Sequence, residues 1–227
     1  KGWNVNRIAH AWAELMRRLG YDRYGAQGGD WGSAISRALG AIDSEHVCGV
    51  HLNYLPTPPP PSADISDLSE EDKARIVNTK RLREAPPGYM RLQSTRPQTI
   101  SYALTDSPVG QLAWIAEKFI EWTDPACPVA EDYLLTNVML YWLTGTAGSS
   151  ALLYYENARS KVQSKSCPVP VGIAVFPYDI NLPVRRFAEL QYSIVHWTEF
   201  DRGGHFAALE APDLFVEDVR KFFRRFR

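Results

Sequence analysis

The chain of 227 residues lacks most of the features that would mark it for a special class. It holds three cysteines, Cys48, Cys127 and Cys167. An odd number without a CxxC pair suggests neither a disulfide framework nor a zinc site, so a reducing, cytoplasmic setting is expected. Charge is balanced, 25 Lys and Arg against 26 Asp and Glu for a net charge of -1, which argues against nucleic acid as the main partner. No apolar run reaches the roughly 18 residues of a membrane span, and the first residues carry no signal-peptide pattern. His10, His46, His51 and His196 share no metal-ligand spacing and read as solvated or core histidines. No internal repeat is present.

What is there is an ordinary globular composition, 45% apolar and 22% charged, enough for a substantial core. "KGWNVNRIAHAWAELMRRLG" opens as an amphipathic helix over 6–20, stopped by its glycine. A short strand in "YDRYGAQG" leads to Asp30, "WGSAISRALGAI" begins a helix, and "HVCGVHLN" reads as a buried strand. The prolines of "YLPTPPPPSADISDL" then end regular structure. Beyond them helices are expected from about Ser69, after "TDSPVG" with Pro108 as a starter, through "EDYLLTNVMLYWLTG" and at "SSALLYYENARS". Strands return in "VGIAVFP" and "YSIVHWTEF", and "PDLFVEDVRKFFRRFR" closes as a helix whose basic end is solvated. This order predicts an α/β core, mostly parallel, interrupted by a helical cap: 1–55 core, 56–165 cap, 166–227 core.

Ligands in such sheets bind at the carboxyl ends of strands, and three chemistry-bearing residues fall there. Asp30 sits in "GAQGGDWGS" with Gly28 and Gly32 at the spacing of a nucleophile elbow, although a plain helix N-cap would also use an aspartate. Asp179 ends the strand "VGIAVFPYD", and His205 follows two glycines in "RGGHFAALEAP". Acid nucleophile, acid, histidine is the chain order of a hydrolase triad with aspartate in place of serine.

The motifs "GGDWGS", "TDSPVGQLAWIAEKF", "LLTNVMLYWLTGT", "FPYD" and "RGGHFAALEAP" together resemble the microsomal-type epoxide hydrolases of the α/β-hydrolase superfamily, across essentially the whole chain. The resemblance implies that Asp30 is the nucleophile, His205 the base and Asp179 the acid that orients it, where many relatives have glutamate. It implies that Tyr89 in "PPGYMRLQ" and Tyr154 in "SSALLYYEN" are cap donors, Tyr155 being the alternative to the second. The backbone N–H of Trp31 is expected at the oxyanion, its side chain packing under the elbow. "WIAEKFIEWT" and "MLYWL" are expected to line the cap interface or pocket.

The implied reaction opens a small lipophilic epoxide to a vicinal diol through an Asp30 ester, with water as co-substrate and no cofactor or metal, in detoxification or secondary metabolism. A homo-oligomer stays open. No His-Gly segment supplies the second oxyanion donor, so the amino-terminal part of the core is expected to lie outside these residues. Two other readings remain: a different aspartate-nucleophile hydrolase such as a haloalkane dehalogenase, which holds its leaving halide with tryptophan or asparagine donors, and a non-catalytic binding relative.

Overall fold

In the computed structural model the structure describes residues 1–61, 63–161 and 166–227. The cap-to-core boundary expected at 165/166 begins outside that set. Helix α1, Val5–Arg18, starts where the Asn4 side chain accepts the Arg7 N–H at 3.0 Å, and Gly20 at φ +78° turns the chain after it. Strand β1, Tyr24–Gly28, feeds helix α2, Asp30–Ile42, and strand β2, Val47–Leu52, lies parallel to β1 with Gly28 opposite Leu52.

After β2 and the proline-rich stretch the chain is helical: α3 Glu70–Glu84, α4 Gly88–Thr95, α5 Pro97–Asp106, α6 Pro108–Glu121, α7 Glu131–Thr144 and α8 Ala147–Ala158. Ser69 and Ser107 cap α3 and α6 through their hydroxyls, accepting from Asp72 and Gly110 N–H. Their starts are therefore readable locally. Helices α4 and α5 are absent from the sequence expectation, because Pro86, Pro87 and Pro97 with Ser94 and Thr95 read as loop. They form by packing on α8. The approach is so close that a Cβ on Gly148 would stand 2.0 Å from Ser101 Oγ. Sequence then returns to the sheet in β3, Val171–Val175, helix α9, Arg185–Glu189, β4, Ile194–Glu199, and helices α10, Ala207–Glu210, and α11, Pro212–Phe223.

The described strands form one parallel sheet in the order β1-β2-β3-β4. Val50, Leu52, Val171 and Ile173 are at most 1% exposed in its centre, the near-continuous apolar reading that parallel strands covered on both faces require. One polar cluster interrupts this core. Asp218 of α11 accepts from His51 of β2 at 2.9 Å, and from His196 and Thr198 of β4 at 2.8 and 2.7 Å, and is 3% exposed. It fastens α11 to two strands through buried groups.

Not all of the cap's apolar sequence is inside. In "MLYWL", Met139, Leu140 and Leu143 are exposed, contrary to the expected lining role, and Tyr141 alone of the five faces the cavity described below. No helix among the described residues is long and apolar enough to cross a membrane.

Candidate active site

Asp30 stands at the turn from β1 into α2. Its φ of 41° makes it the one non-glycine residue in the left-handed region among the described residues, a conformation costing about 1–3 kcal/mol that surrounding structure must impose. Gly28 helps impose it: a Cβ there would lie 2.2 Å from the Gly32 carbonyl oxygen. Gly32 itself has open space for a Cβ, so only the first of the two expected glycines is required by packing. The carboxylate is thereby held at the positive end of the α2 dipole, beside first-turn N–H groups, including that of Trp31, that helix geometry leaves without intrahelical acceptors.

His205 reaches both acids. Its Nδ1 is 2.7 Å from Asp179 Oδ1 and its Nε2 is 3.2 Å from Asp30 Oδ2. The loops carrying Asp179 and His205 are tied by their backbones, Tyr178 N–H donating to the Gly203 carbonyl at 3.1 Å. Asp179 Oδ1 also accepts the Ile180 N–H at 2.7 Å. Side-chain exposure is 3% for Asp179, 6% for His205 and 41% for Asp30. Of the three, only Asp30 opens outward; Asp179 and His205 are sealed.

Burial works against a charged His205 ring, but the hydrogen bonds it donates to Asp179 and Asp30, together with their negative charges, prevail and raise its pKa to about 10. That value lies above the roughly 6.5 of an unfolded histidine. The imidazolium therefore contributes stability that is complete below about pH 6.5, shrinks as pH rises, and is gone above the folded value. Urea unfolding at pH 6 and at pH 9.5 should show a loss on the order of a few kcal/mol at the higher pH, and His205→Gln should abolish that loss. Equal stability at both values would contradict it.

Over the elbow lies a cavity of about 720 Å³. Leu104, Trp114, Ile115, Phe119 and Tyr141 give it an apolar wall, Trp114, Ile115 and Phe119 coming from the "WIAEKFIEWT" segment. Asp30 and His205 are not themselves wall residues; Trp31, beside Asp30, is, as are Trp122 and Phe206, whose rings lie 5.1 and 5.2 Å from the His205 ring. Gln111 lines it with a buried Oε1 that no described residue engages.

Tyr89 and Tyr154 are both in this wall, ring centres 6.2 Å apart. Tyr155 is not: its ring lies under the Arg159 guanidinium, 3.6 Å away. Burial, followed by the charge of Asp30, pushes the Tyr154 pKa up to about 12, against side-chain hydrogen bonds from Trp31 and Gln93. Tyr89 is pushed up as well, by burial and then by Tyr154 and Asp30. Both hydroxyls keep their protons at neutral pH and can donate them. Trp31 packs edge-on against Tyr154 at 4.9 Å, so its indole is part of the cavity rather than a support beneath the elbow.

Several contributors escaped sequence reasoning. Tyr54, with its ring 5.8 Å from that of His205, lies two residues beyond β2, near a strand end that could have drawn notice. Gln93 belongs to the unexpected α4 and left no signal. Lys118 places its ammonium 4.5 Å from the Tyr89 ring centre, hidden in a stretch read for its aromatics. No group of three or more His, Cys, Asp or Glu able to hold a metal occurs among the described residues.

No protein-family model matches the chain. It is 47% identical over 232 residues to a Stigmatella aurantiaca protein bearing an epoxide hydrolase name, covering 100% of this chain and 52% of that one. It is 36% identical over 257 residues to epoxide hydrolase 1 of Sus scrofa, covering 98% and 55%. Among solved structures, Aspergillus niger epoxide hydrolase superimposes with a TM-score of 0.87 at 31% identity, covering 99% of this chain and 58% of that one. Juvenile hormone epoxide hydrolase of the silkworm Bombyx mori does so with 0.86 at 30%, covering 100% and 60%. The chain thus spans about half the length of the curated relatives it matches.

Proposed function

We propose that this chain belongs to the epoxide hydrolases of the α/β-hydrolase superfamily, as its similarity to them supports, and that Asp30, His205, Asp179, Tyr89 and Tyr154 hydrolyse a bulky lipophilic epoxide to a vicinal diol. The observation that carries the reading is the hydrogen bonding of one imidazole to two carboxylates, next to a cavity walled by two protonated tyrosines.

The first step is attack of an Asp30 oxygen on an epoxide carbon, forming an alkyl ester as the carbon–oxygen bond breaks. The departing oxygen gathers charge under the cap and takes a proton from Tyr89 or Tyr154. Esterification also removes the negative charge of Asp30, one of the causes that hold His205 protonated. The imidazolium then gives up a proton, which restores the tyrosine through solvent. Neutral Nε2 can now take a proton from water as that water attacks the ester carbonyl, with Asp179 holding Nδ1–H and the Trp31 N–H facing the oxyanion. Release of the diol regenerates carboxylate and imidazolium, and one water is consumed overall.

The cavity's apolar wall suits a lipophilic substrate, and Gln111 Oε1 offers an acceptor to one polar group on it. Such chemistry fits detoxification or secondary metabolism. Three unpaired cysteines are in keeping with a reducing compartment. Halide chemistry is disfavoured by the paired tyrosines of the cavity wall, which offer protons to a departing oxygen.

The tyrosines test this reading. Tyr89→Phe and Tyr154→Phe keep the rings and delete the hydroxyls, so each should slow ester formation by about a hundredfold, on the order of 3 kcal/mol. Hydrolysis of ester already formed should change little. Single-turnover kinetics with an aryl epoxide separates the steps; alkylation at the parent rate in both folded variants would rule out epoxide opening by these donors.

A further inference from the structure

Three backbone amides around His205 are each held by a partner. Gly203 N–H donates to Asp124 Oδ2 at 2.8 Å, His205 N–H to the Trp122 carbonyl at 2.9 Å, and Phe206 N–H to Glu210 Oε1 at 2.8 Å. The two carboxylates are joined in turn, since Asp124 N–H donates to Glu210 Oε2 at 2.6 Å. Asp124 Oδ1 accepts the Ala126 N–H at 2.8 Å, which leaves neither of its oxygens idle.

The arrangement is costly. Asp124 is 1% exposed and Glu210 7%, and among the described residues neither forms a salt bridge. Buried carboxylates held by amides alone persist only where the surrounding structure demands them. The paired glycines before His205 follow from the same demand. Gly203 adopts φ +91°, and a Cβ on Gly204 would lie 2.6 Å from the Trp122 carbonyl oxygen and 3.0 Å from Glu210 Oε2.

The partners come from two parts of the fold. Trp122 and Asp124 follow α6, in the helical insertion, whereas Glu210 ends α10, five residues after His205 by sequence position. Trp122 acts at both ends of the connection: its carbonyl holds the His205 amide, while its ring forms cavity wall and packs 5.3 Å from Tyr89.

We propose that Asp124 and Glu210 are positioning residues for His205, forming a two-carboxylate clamp that locks the base's loop to the end of α6. The proposal rests on the epoxide hydrolase reading of the site. It makes alignment of the base depend on the same cap segment that walls the substrate cavity, so cap and base move as one. Formation of the ester needs Asp30 and the tyrosines and is insensitive to the clamp. Hydrolysis of the ester needs a water held by His205 and is sensitive to it, because displacement by about 1 Å can cost on the order of a hundredfold.

The test uses Glu210→Gln and Asp124→Asn in the full chain, each of which puts a carboxamide NH2, a donor, where a carboxylate oxygen now accepts a backbone N–H. In single turnovers with an aryl epoxide, ester hydrolysis should slow by about 10- to 100-fold while alkylation stays within about threefold. In a His205→Gln background the same changes should add little, since they act through the imidazole. The low-field proton resonance of His205 Nδ1–H should weaken or shift in either variant without substrate. If one variant does not fold, the other decides. Equal loss in both steps, additivity with His205→Gln, or an unmoved resonance would overturn the clamp. A parent that forms no Asp30 adduct would instead overturn the epoxide reading, while the resonance still decides the clamp.

Discussion

Replacing His205 with glutamine should stall the reaction at the ester. Asp30 keeps its place at the α2 terminus and its tyrosines across the cavity, so attack proceeds, but no group remains at Nε2 to take a proton from water. Loss of a positioned general base costs roughly 10²–10⁴-fold in that step. An adduct with the mass of protein plus epoxide should therefore accumulate and be visible by intact mass, with the modification on Asp30 after proteolysis. Turnover of the variant at the parent rate would remove His205 from the role of base.

The second large effect is on stability, and it lies behind the sheet. Asp218→Ala should destabilise the chain by about 3–5 kcal/mol, the usual cost of removing one partner from a buried ionic cluster. The acid is the shared acceptor of His51, His196 and Thr198. His51 is 0% exposed and its Nδ1 has no other partner among the described residues, so nothing nearby can take over. Burial raises the Asp218 pKa, yet the hydrogen bonds from His51, Thr198 and His196 outweigh it and hold the carboxyl below its ordinary value. Its stabilisation is thus present above about pH 4 and lost as pH falls through the lower folded value. Urea unfolding at pH 7 measures the change; a loss under about 1 kcal/mol would show the cluster to be dispensable.

Reading the sequence, one could place Asp30, Asp179 and His205 at three strand ends, because each is flanked by residues whose local meaning is strong: Gly28 before the turn, an apolar strand before Asp179, two glycines before His205. Helices α3 and α6 were equally plain from Ser69 and from Ser107 with Pro108. Helices α4 and α5 were not, since proline and hydroxyl residues signal loop by local rules and packing on α8 overrides them. The same blindness hid Gln93 and left the choice between Tyr154 and Tyr155 open. Adjacent tyrosines are equivalent in a sequence, and only the rotation of α8 against the cavity separates one that lines the cavity from one that lies under Arg159.

By itself, then, the sequence determined the elements whose causes lie within a few residues: the strained turn at Asp30, the caps, the apolar strands, and the chain order of two aspartates and a histidine at strand ends. Only the tertiary structure decided which distant groups meet. His205 joins Asp30 from 175 positions away, Asp218 gathers His51 from 167, and Gly203 is held by Asp124 from 79. Local preferences are enforced by sterics and short-range hydrogen bonds that a short window contains. Such long-range pairings are selected by the burial of the whole core, which no window of sequence contains.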